Sequence, residues 1–283
     1  MNAETRILAL ASRVTDPAGR TVPVLTEQAA GKVAAAQRLT LREVHRQALV
    51  AGVWPLRYLR NRDALSLEHQ SALCGSCVAV IGLGGLGGLA ALTLARLGIG
   101  RLLLVDADRF DETNLNRQAL CDTATLGRLK SECAAEAVAA VNPAVEVVAR
   151  TARLSPGNAR ELLDGAAVAL DALDNVADRF ALEQGALELG VPLVHAAVAG
   201  FEGRLMTIFP GDPGLRLLYP AGAAAPDPGR SEAVLGVPAT TPAVLATLQA
   251  QEAVKLLTGV GTPVRSAMLH VDLANGTLER FAF

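Results

Sequence analysis

Val78-Ala79-Val80-Ile81-Gly82-Leu83-Gly84-Gly85-Leu86-Gly87-Gly88 is the stretch on which the fold turns. Val78 to Ile81 is a short, β-branched apolar run of the kind that forms a strand buried on both faces. Gly82, Gly84 and Gly87 then make a GxGxxG turn, with Gly85 inside it, that opens a helix. Such a turn lets backbone N–H groups and the helix N-terminus come close to phosphate oxygens. Outward from it, the pattern predicts a helix from about Leu86 to Leu97, stopped by Gly98. Arg101 to Val105 reads as a second strand ending on Asp106, an acid placed to bind a ribose hydroxyl. The fold class that follows is α/β, a Rossmann-like and mostly parallel sheet.

A polar cluster downstream separates this unit from a generic dinucleotide site. Asn114, Arg117 and Gln118 follow Asp106 within one turn-rich loop, and Lys130 opens the next helical stretch. The pattern brings two fixed cations toward the phosphates. A redox dinucleotide does not need them, whereas breaking a triphosphate does, because negative charge accumulates on the departing pyrophosphate. The chain contains only three lysines, Lys32, Lys130 and Lys255, so a lysine at this position is informative.

The remaining composition bounds the function. At 283 residues there is room for one large α/β domain and a small appendage. A net charge of -2 and a pI near 6.1 give no nucleic-acid signature. Mean hydropathy is +0.32, and Val78 to Gly100 carries one charge, Arg96, but its seven glycines fit a buried strand-turn-helix rather than a membrane span. The N-terminus lacks a basic-then-apolar signal pattern, so a cytoplasmic protein without a membrane partner is expected. Four cysteines, Cys74, Cys77, Cys121 and Cys133, make no secreted disulfide framework. Cys74 and Cys77 form a CxxC without a second pair or a nearby histidine, which favours packing over metal binding.

Residues 1–54 are expected to form a helical arm and 55–283 the nucleotide-binding domain. In the arm, Val22 to Thr26 breaks an alanine-rich helical pattern, and Thr40 with Glu43 signals a capping box opening a helix through Leu49. A DNA-binding helix-turn-helix is disfavoured by the weakly basic second helix. Arg57-Tyr58-Leu59-Arg60-Asn61-Arg62 follows Pro55. After Lys130 come a helix to about Val141, a strand near 144–149, a helix reaching Leu163, and a strand ending in Asp171-Ala172-Leu173-Asp174-Asn175. Asp174 therefore sits at the carboxyl end of a strand, where ligands of open parallel sheets bind. A helix over 181–189, a strand over 192–197 carrying His195, and an antiparallel strand over 201–209 follow. Residues 210–238 hold six of the 14 prolines and read as one long connection. A last helix, 242–257, and a hairpin around Asn275-Gly276 close the chain.

Taken together, these motifs resemble the E1-like adenylyltransferases of the ThiF/MoeB/HesA family over about residues 55 to 281. The residues that carry the resemblance are the glycine turn at 82–87, Asn114-Leu115-Asn116-Arg117-Gln118, Lys130, Leu173-Asp174-Asn175, the segment 200–205, and the helical run 248–257. The resemblance implies a homodimer that binds ATP with Mg2+ and the C-terminal Gly-Gly tail of a ubiquitin-like sulfur-carrier protein. It further implies that the tail carboxylate attacks the α-phosphate to give an acyl-adenylate. On the family pattern Asp106 binds the ribose and the turn Gly82, Gly84, Gly85 and Gly87 the phosphates. Asn114, Arg117 and Lys130, with Gln118 beside them, hold the triphosphate. Asp174 holds the magnesium, and Arg60 reaches the γ-phosphate of the neighbouring protomer.

The chain also departs from the family pattern. Relatives with a structural zinc carry a CxxC where Gly214-Leu215-Arg216-Leu217 stands here, which argues against zinc. No cysteine follows Cys133, so a separate sulfurtransferase is expected to deliver sulfur. Three other readings compete: a NAD-dependent oxidoreductase, an E1-like tRNA threonylcarbamoyladenosine dehydratase, and a non-catalytic dimeric scaffold.

Overall fold

The computed structural model describes residues 2–219 and 234–283. The middle of the connection expected over 210–238 lies outside them.

Helices α1 (Ala3–Leu10), α2 (Glu27–Gln37) and α3 (Leu41–Val50) pack around Ile7, Leu25, Ala30, Val33, Val44, Ala48 and Val53. The capping box forms as expected: Thr40 Oγ1 accepts from the Glu43 N–H at 3.2 Å, and Glu43 Oε2 accepts from the Thr40 N–H at 2.7 Å. The alanine-rich composition concealed a β-hairpin. β1 (Ser12–Thr15) and β2 (Thr21–Leu25) run antiparallel, and β3 (Trp54–Pro55) adds to β2 in parallel. Val22 and Val24 bury against Trp54, Tyr58 and Cys74, which is why a helix break of this composition becomes a strand. The hairpin turn is tied by Asp16, whose Oδ1 accepts the N–H groups of Ala18 and Arg20. The Arg20 N–H, together with the guanidinium groups of Arg20 and Arg62, holds that carboxyl down to about 2. α3 rests on α4 (Leu67–Gly75), with Arg42 Nε donating to the Cys74 carbonyl at 3.1 Å.

The larger sheet has eight strands among the described residues. They are β4 (Cys77–Ile81), β5 (Arg101–Val105), β6 (Glu146–Arg150), β7 (Val168–Asp171), β8 (Leu193–Ala199), β9 (Glu202–Ile208), β10 (Ala267–Asp272) and β11 (Thr277–Ala282), in the order β11-β10-β9-β8-β7-β4-β5-β6. β8-β7-β4-β5-β6 are mutually parallel, and β9, β10 and β11 extend them antiparallel. The period-2 alternation of β4 feeds two cores. Val78 and Val80 meet α5 (Gly87–Leu97), α6 (Lys130–Val141) and α9 (Thr240–Thr258) on one face. Ala79 and Ile81 meet α7 (Ala159–Leu163) and α8 (Val176–Leu189) on the other. The chain leaves β4 toward β5 and β6 and returns through β7 on its opposite side. This reversal opens a crevice at the carboxyl ends of β4, β5 and β7. No helix among the described residues is long and apolar enough to cross a membrane.

Two buried histidines make the fold sensitive to acid. Burial pushes His45 down from 6.5 to about 4, and burial also lowers His195. A base whose folded pKa is depressed contributes stability above its unfolded pKa and loses it as pH falls through the folded one. Thermal melts should therefore shift downward as pH drops from 6.5 toward 4. His45→Gln should flatten that slope without abolishing it, since His195 acts with the same sign; an unchanged slope would contradict the assignment.

A candidate nucleotide site at the strand ends

The crevice encloses about 520 Å³, a volume suited to a nucleotide-sized ligand. Its floor is the glycine turn. Gly82 takes φ +91°, and a Cβ there would lie 2.6 Å from the Ala172 carbonyl oxygen, so β4 and the loop after β7 approach too closely for any side chain. Gly84, Gly85 and Leu86 line the cavity just before the first turn of α5, whose N–H groups have no partner within the helix. The Gly82 N–H is held by the Val105 carbonyl and the Ala172 N–H by that of Ile81, which fixes the three strand ends relative to one another.

Asp106 closes β5 at the next wall. Its Oδ2 accepts from the Leu83 N–H at 2.7 Å and its Oδ1 from the Asp108 N–H at 2.8 Å. Burial raises its pKa above the ordinary carboxylate range, while Lys130 and these backbone donors oppose the rise. Lys130, the first residue of α6, is only 8% exposed, and its Nζ lies 3.3 Å from Asp108 Oδ2. Asp108 also anchors that helix start, its carbonyl accepting the Lys130 N–H.

The loop after a short 3-10 turn (Glu112–Asn114) brings Arg117 and Gln118 to the same cavity. Arg117 Nη1 donates to the Thr113 carbonyl and to Asn116 Oδ1, both at 2.9 Å, so the guanidinium is braced from behind. Gln118 is buried, its side-chain amide facing Gly84, and its Oε1 has no hydrogen-bond partner among the described residues. Asn114 does not line the cavity. Its Oδ1 accepts from the Asp111 N–H, and its carbonyl accepts the N–H groups of Arg117 and Gln118, so it organises the loop.

Asp174 lies exposed on the opposite rim and also lines the cavity. The cap of the helix that follows is Asn175, whose Oδ1 accepts the Asp178 N–H. Gly87 is the turn's packing glycine, with α5 lying against β4 there. Arg60 is exposed on the 3-10 helix Leu56–Asn61 and does not line the cavity of its own chain.

Sequence reasoning missed several groups. Asp108 and Arg153 line the cavity, and so does Arg179, 4% exposed, on α8. Arg179 Nη2 donates to the Leu173 carbonyl at 2.7 Å and Nη1 to Tyr219 Oη at 2.6 Å. Behind it, His195 Nδ1 pairs with Asp171 Oδ2 at 2.7 Å, and Gln249 Nε2 donates to the Asp171 carbonyl at 2.7 Å. Burial favours the neutral imidazole, with the Nδ1 proton toward Asp171. His195 is thus a hydrogen-bonded core residue bracing the end of β7. The one local signal was Arg179 standing four residues after Asn175, one turn along the helix.

The residues fit a nucleotide with its metal. The open face of Gly84, the Gln118 side-chain N–H groups beside it and the cations of Arg117 and Lys130 offer contacts to phosphates, while the unsatisfied Gln118 oxygen can accept from a hydroxyl or amino group of the nucleotide. Magnesium commonly takes one or two carboxylates and completes its shell with phosphate oxygens and water, which Asp174 could serve. Among the described residues no three His, Cys, Asp or Glu side chains gather into a metal cage.

A model of the ThiF family matches residues 58–283. The SAMP-activating enzyme E1 of Haloferax volcanii is 37% identical over 228 residues, 79% of this chain and 83% of that protein. The sulfur carrier protein ThiS adenylyltransferase of Escherichia coli is 38% identical over 212 residues, 74% of this chain and 83% of that protein. The solved structure of Escherichia coli MccB with MccA-N7isoASN has a TM-score of 0.69 at 18% identity, covering 80% of this chain and 72% of that one, and so shares the fold. The oxidoreductase and dehydratase readings are not favoured by these relatives.

Proposed function

Because this chain belongs to the ThiF family, we propose that it is an ATP-dependent adenylyltransferase that activates the C-terminal glycine carboxylate of a ubiquitin-like sulfur-carrier protein. The observation that carries this reading is the convergence of Arg117, Lys130 and Asp174 on the cavity floored by the glycine turn. A carboxylate oxygen of the tail attacks the α-phosphorus. The bond from that phosphorus to the bridging oxygen breaks, and its electron pair leaves with pyrophosphate. The tail is already ionised, so no general base is needed; the obstacle is bringing two anions together and stabilising the leaving group.

Each residue answers part of that obstacle. The N–H groups at the start of α5 hold phosphate oxygens, and Asp106 accepts from the ribose. Lys130 and Arg117 oppose the charge growing on the pyrophosphate, with Gln118 as a further phosphate contact and Asn114 keeping their loop in shape. Magnesium, held by Asp174, supplies charge neutralisation across the phosphates when bound. Arg60, exposed and absent from the lining of its own cavity, serves that of the partner in a homodimer. A sulfur nucleophile delivered by a separate sulfurtransferase then attacks the carbonyl carbon of the adenylate, forming a C–S bond as the C–O bond to phosphate breaks and AMP departs.

Carrier-dependent exchange of radiolabelled pyrophosphate into ATP, with a recombinant ubiquitin-like carrier ending in Gly-Gly, tests the reading. Arg117→Ala should lower that exchange by about 10²-fold with ATP affinity less affected, the scale of losing one charge-stabilising donor. Exchange at the parental rate in this variant overturns the assignment.

A further inference from the structure

The segment Arg57–Arg62 presents three guanidinium groups, and the structure treats them unequally. Arg57 is spoken for: its Nε donates to Glu27 Oε1 and its Nη1 to the Val141 carbonyl at 3.1 Å. Arg62 pairs with Asp16, the buried carboxylate of the hairpin turn. Between them, Tyr58 is 2% exposed, and its Oη accepts from Asn142 Nδ2 at 2.9 Å. Asn61 Nδ2 donates to Gln70 Oε1 at 2.9 Å. Arg60 alone of the three arginines is exposed and has no polar partner among the described residues.

The clamps on the two flanking arginines come from the N-terminal hairpin unit, outside the segment matched by the family model. Asp16 closes the turn between β1 and β2, and Glu27 opens α2 immediately after β2. The same unit sets the backbone that enters the segment, since β2 pairs Val24 with Trp54 and Leu25 with Pro55, one residue before the 3-10 helix begins. Val22, Val24, Trp54 and Tyr58 then share one buried cluster.

We infer that this hairpin unit is a positioning device for Arg60: Asp16 and Glu27 engage the two neighbouring arginines, so that only Arg60 is presented, on a rigid base, to a triphosphate outside its own chain. The inference rests on the reading that Arg60 completes the partner protomer's site. Asp16 touches no substrate and acts through Arg62 and the 3-10 helix. Without the clamp Arg62 would be a second mobile cation beside Arg60, and the helix would lose one of its links to the hairpin. Displacing a positioned charge by about 1 Å can cost two orders of magnitude.

The readout that separates positioning from general structure is the preference for ATP over ADP, because only ATP carries the γ-phosphate. Calorimetric titration of the full chain with ATP and with ADP, each with magnesium and without carrier, gives that ratio. Arg60→Ala should lower the preference about tenfold, and Asp16→Asn should lower it several-fold with ADP affinity unchanged. Arg62→Ala breaks the same pair from the other side and should match Asp16→Asn, which keeps the test open if the latter folds poorly. The double variant Asp16→Asn/Arg60→Ala should be no worse than Arg60→Ala, as for two residues acting through one contact. If Arg60→Ala leaves the preference intact, the reading of Arg60 fails and the inference with it. If Arg60→Ala abolishes the preference while Asp16→Asn and Arg62→Ala keep it, or weaken ATP and ADP alike, only the positioning role is overturned.

Discussion

Lys130→Ala is expected to lower carrier-dependent pyrophosphate exchange by about 10³-fold, the upper end of what one pre-organised charge contributes. The ammonium group stands at the wall where Asp106 and Asp108 also lie, and it opposes the burial that raises the Asp106 pKa. Removing it deletes the contact to the departing pyrophosphate and leaves two carboxylates facing a polyanion with less to offset them. ATP affinity should therefore fall as well, unlike in Arg117→Ala, where the guanidinium is partly exposed and the carboxylate wall is unchanged. Arg at position 130 should not restore the rate, because a planar fork does not fit where a compact ammonium is 8% exposed. Exchange within threefold of the parent would remove Lys130 from the chemistry.

Gly87→Ala should be among the most damaging substitutions for the fold, at a cost of about 3 kcal/mol, the upper end of what overpacking typically costs. A Cβ there would lie 1.8 Å from the Gly82 carbonyl oxygen and 3.0 Å from Val80 Cγ1. Because the first obstacle is backbone, no rotamer change relieves it, and α5 must lift from β4. That would separate the helix N-terminus from Asp106 and open the core around Val78 and Val80. The expected result is little soluble protein, or a protein melting far below the parent that does not bind ATP. Gly31→Ala is the control: it lies within α2, nothing approaches its Cβ position within 4 Å, and alanine there should stabilise by roughly 0.5–1 kcal/mol. A Gly87→Ala protein as stable as its parent would show that the helix is not pinned at that contact.

Much of the central fold was legible because its signals are local. The apolar run of β4, the glycine turn and the Gly98 stop determine a strand, a helix and their close crossing within some twenty residues, and Asn275-Gly276 likewise specifies the hairpin β10–β11. The N-terminal hairpin was not legible in the same way. Its strands are short, and Ser12, Arg13, Val14 and Thr15 lack a strong alternating pattern; they hold shape through Trp54 and Tyr58, far along the chain. Asn114 was read as a phosphate contact from its motif, but here its side chain faces Asp111 and its carbonyl holds the turn.

From the sequence alone came the Rossmann-like turn, the succession of strands and helices along the chain after it, and the residue types able to manage a triphosphate, since each is written in a few adjacent positions. Tertiary structure alone decided how those residues are charged and braced. Lys130 meets Asp108 across 22 residues, Asp171 meets His195 across 24, Tyr219 meets Arg179 across 40, and Arg62 meets Asp16 across 46. Short-range patterns set the path of the backbone, but a charge and its distant partner share no periodicity. Their pairing exists only once the sheet and its helices have brought the segments together.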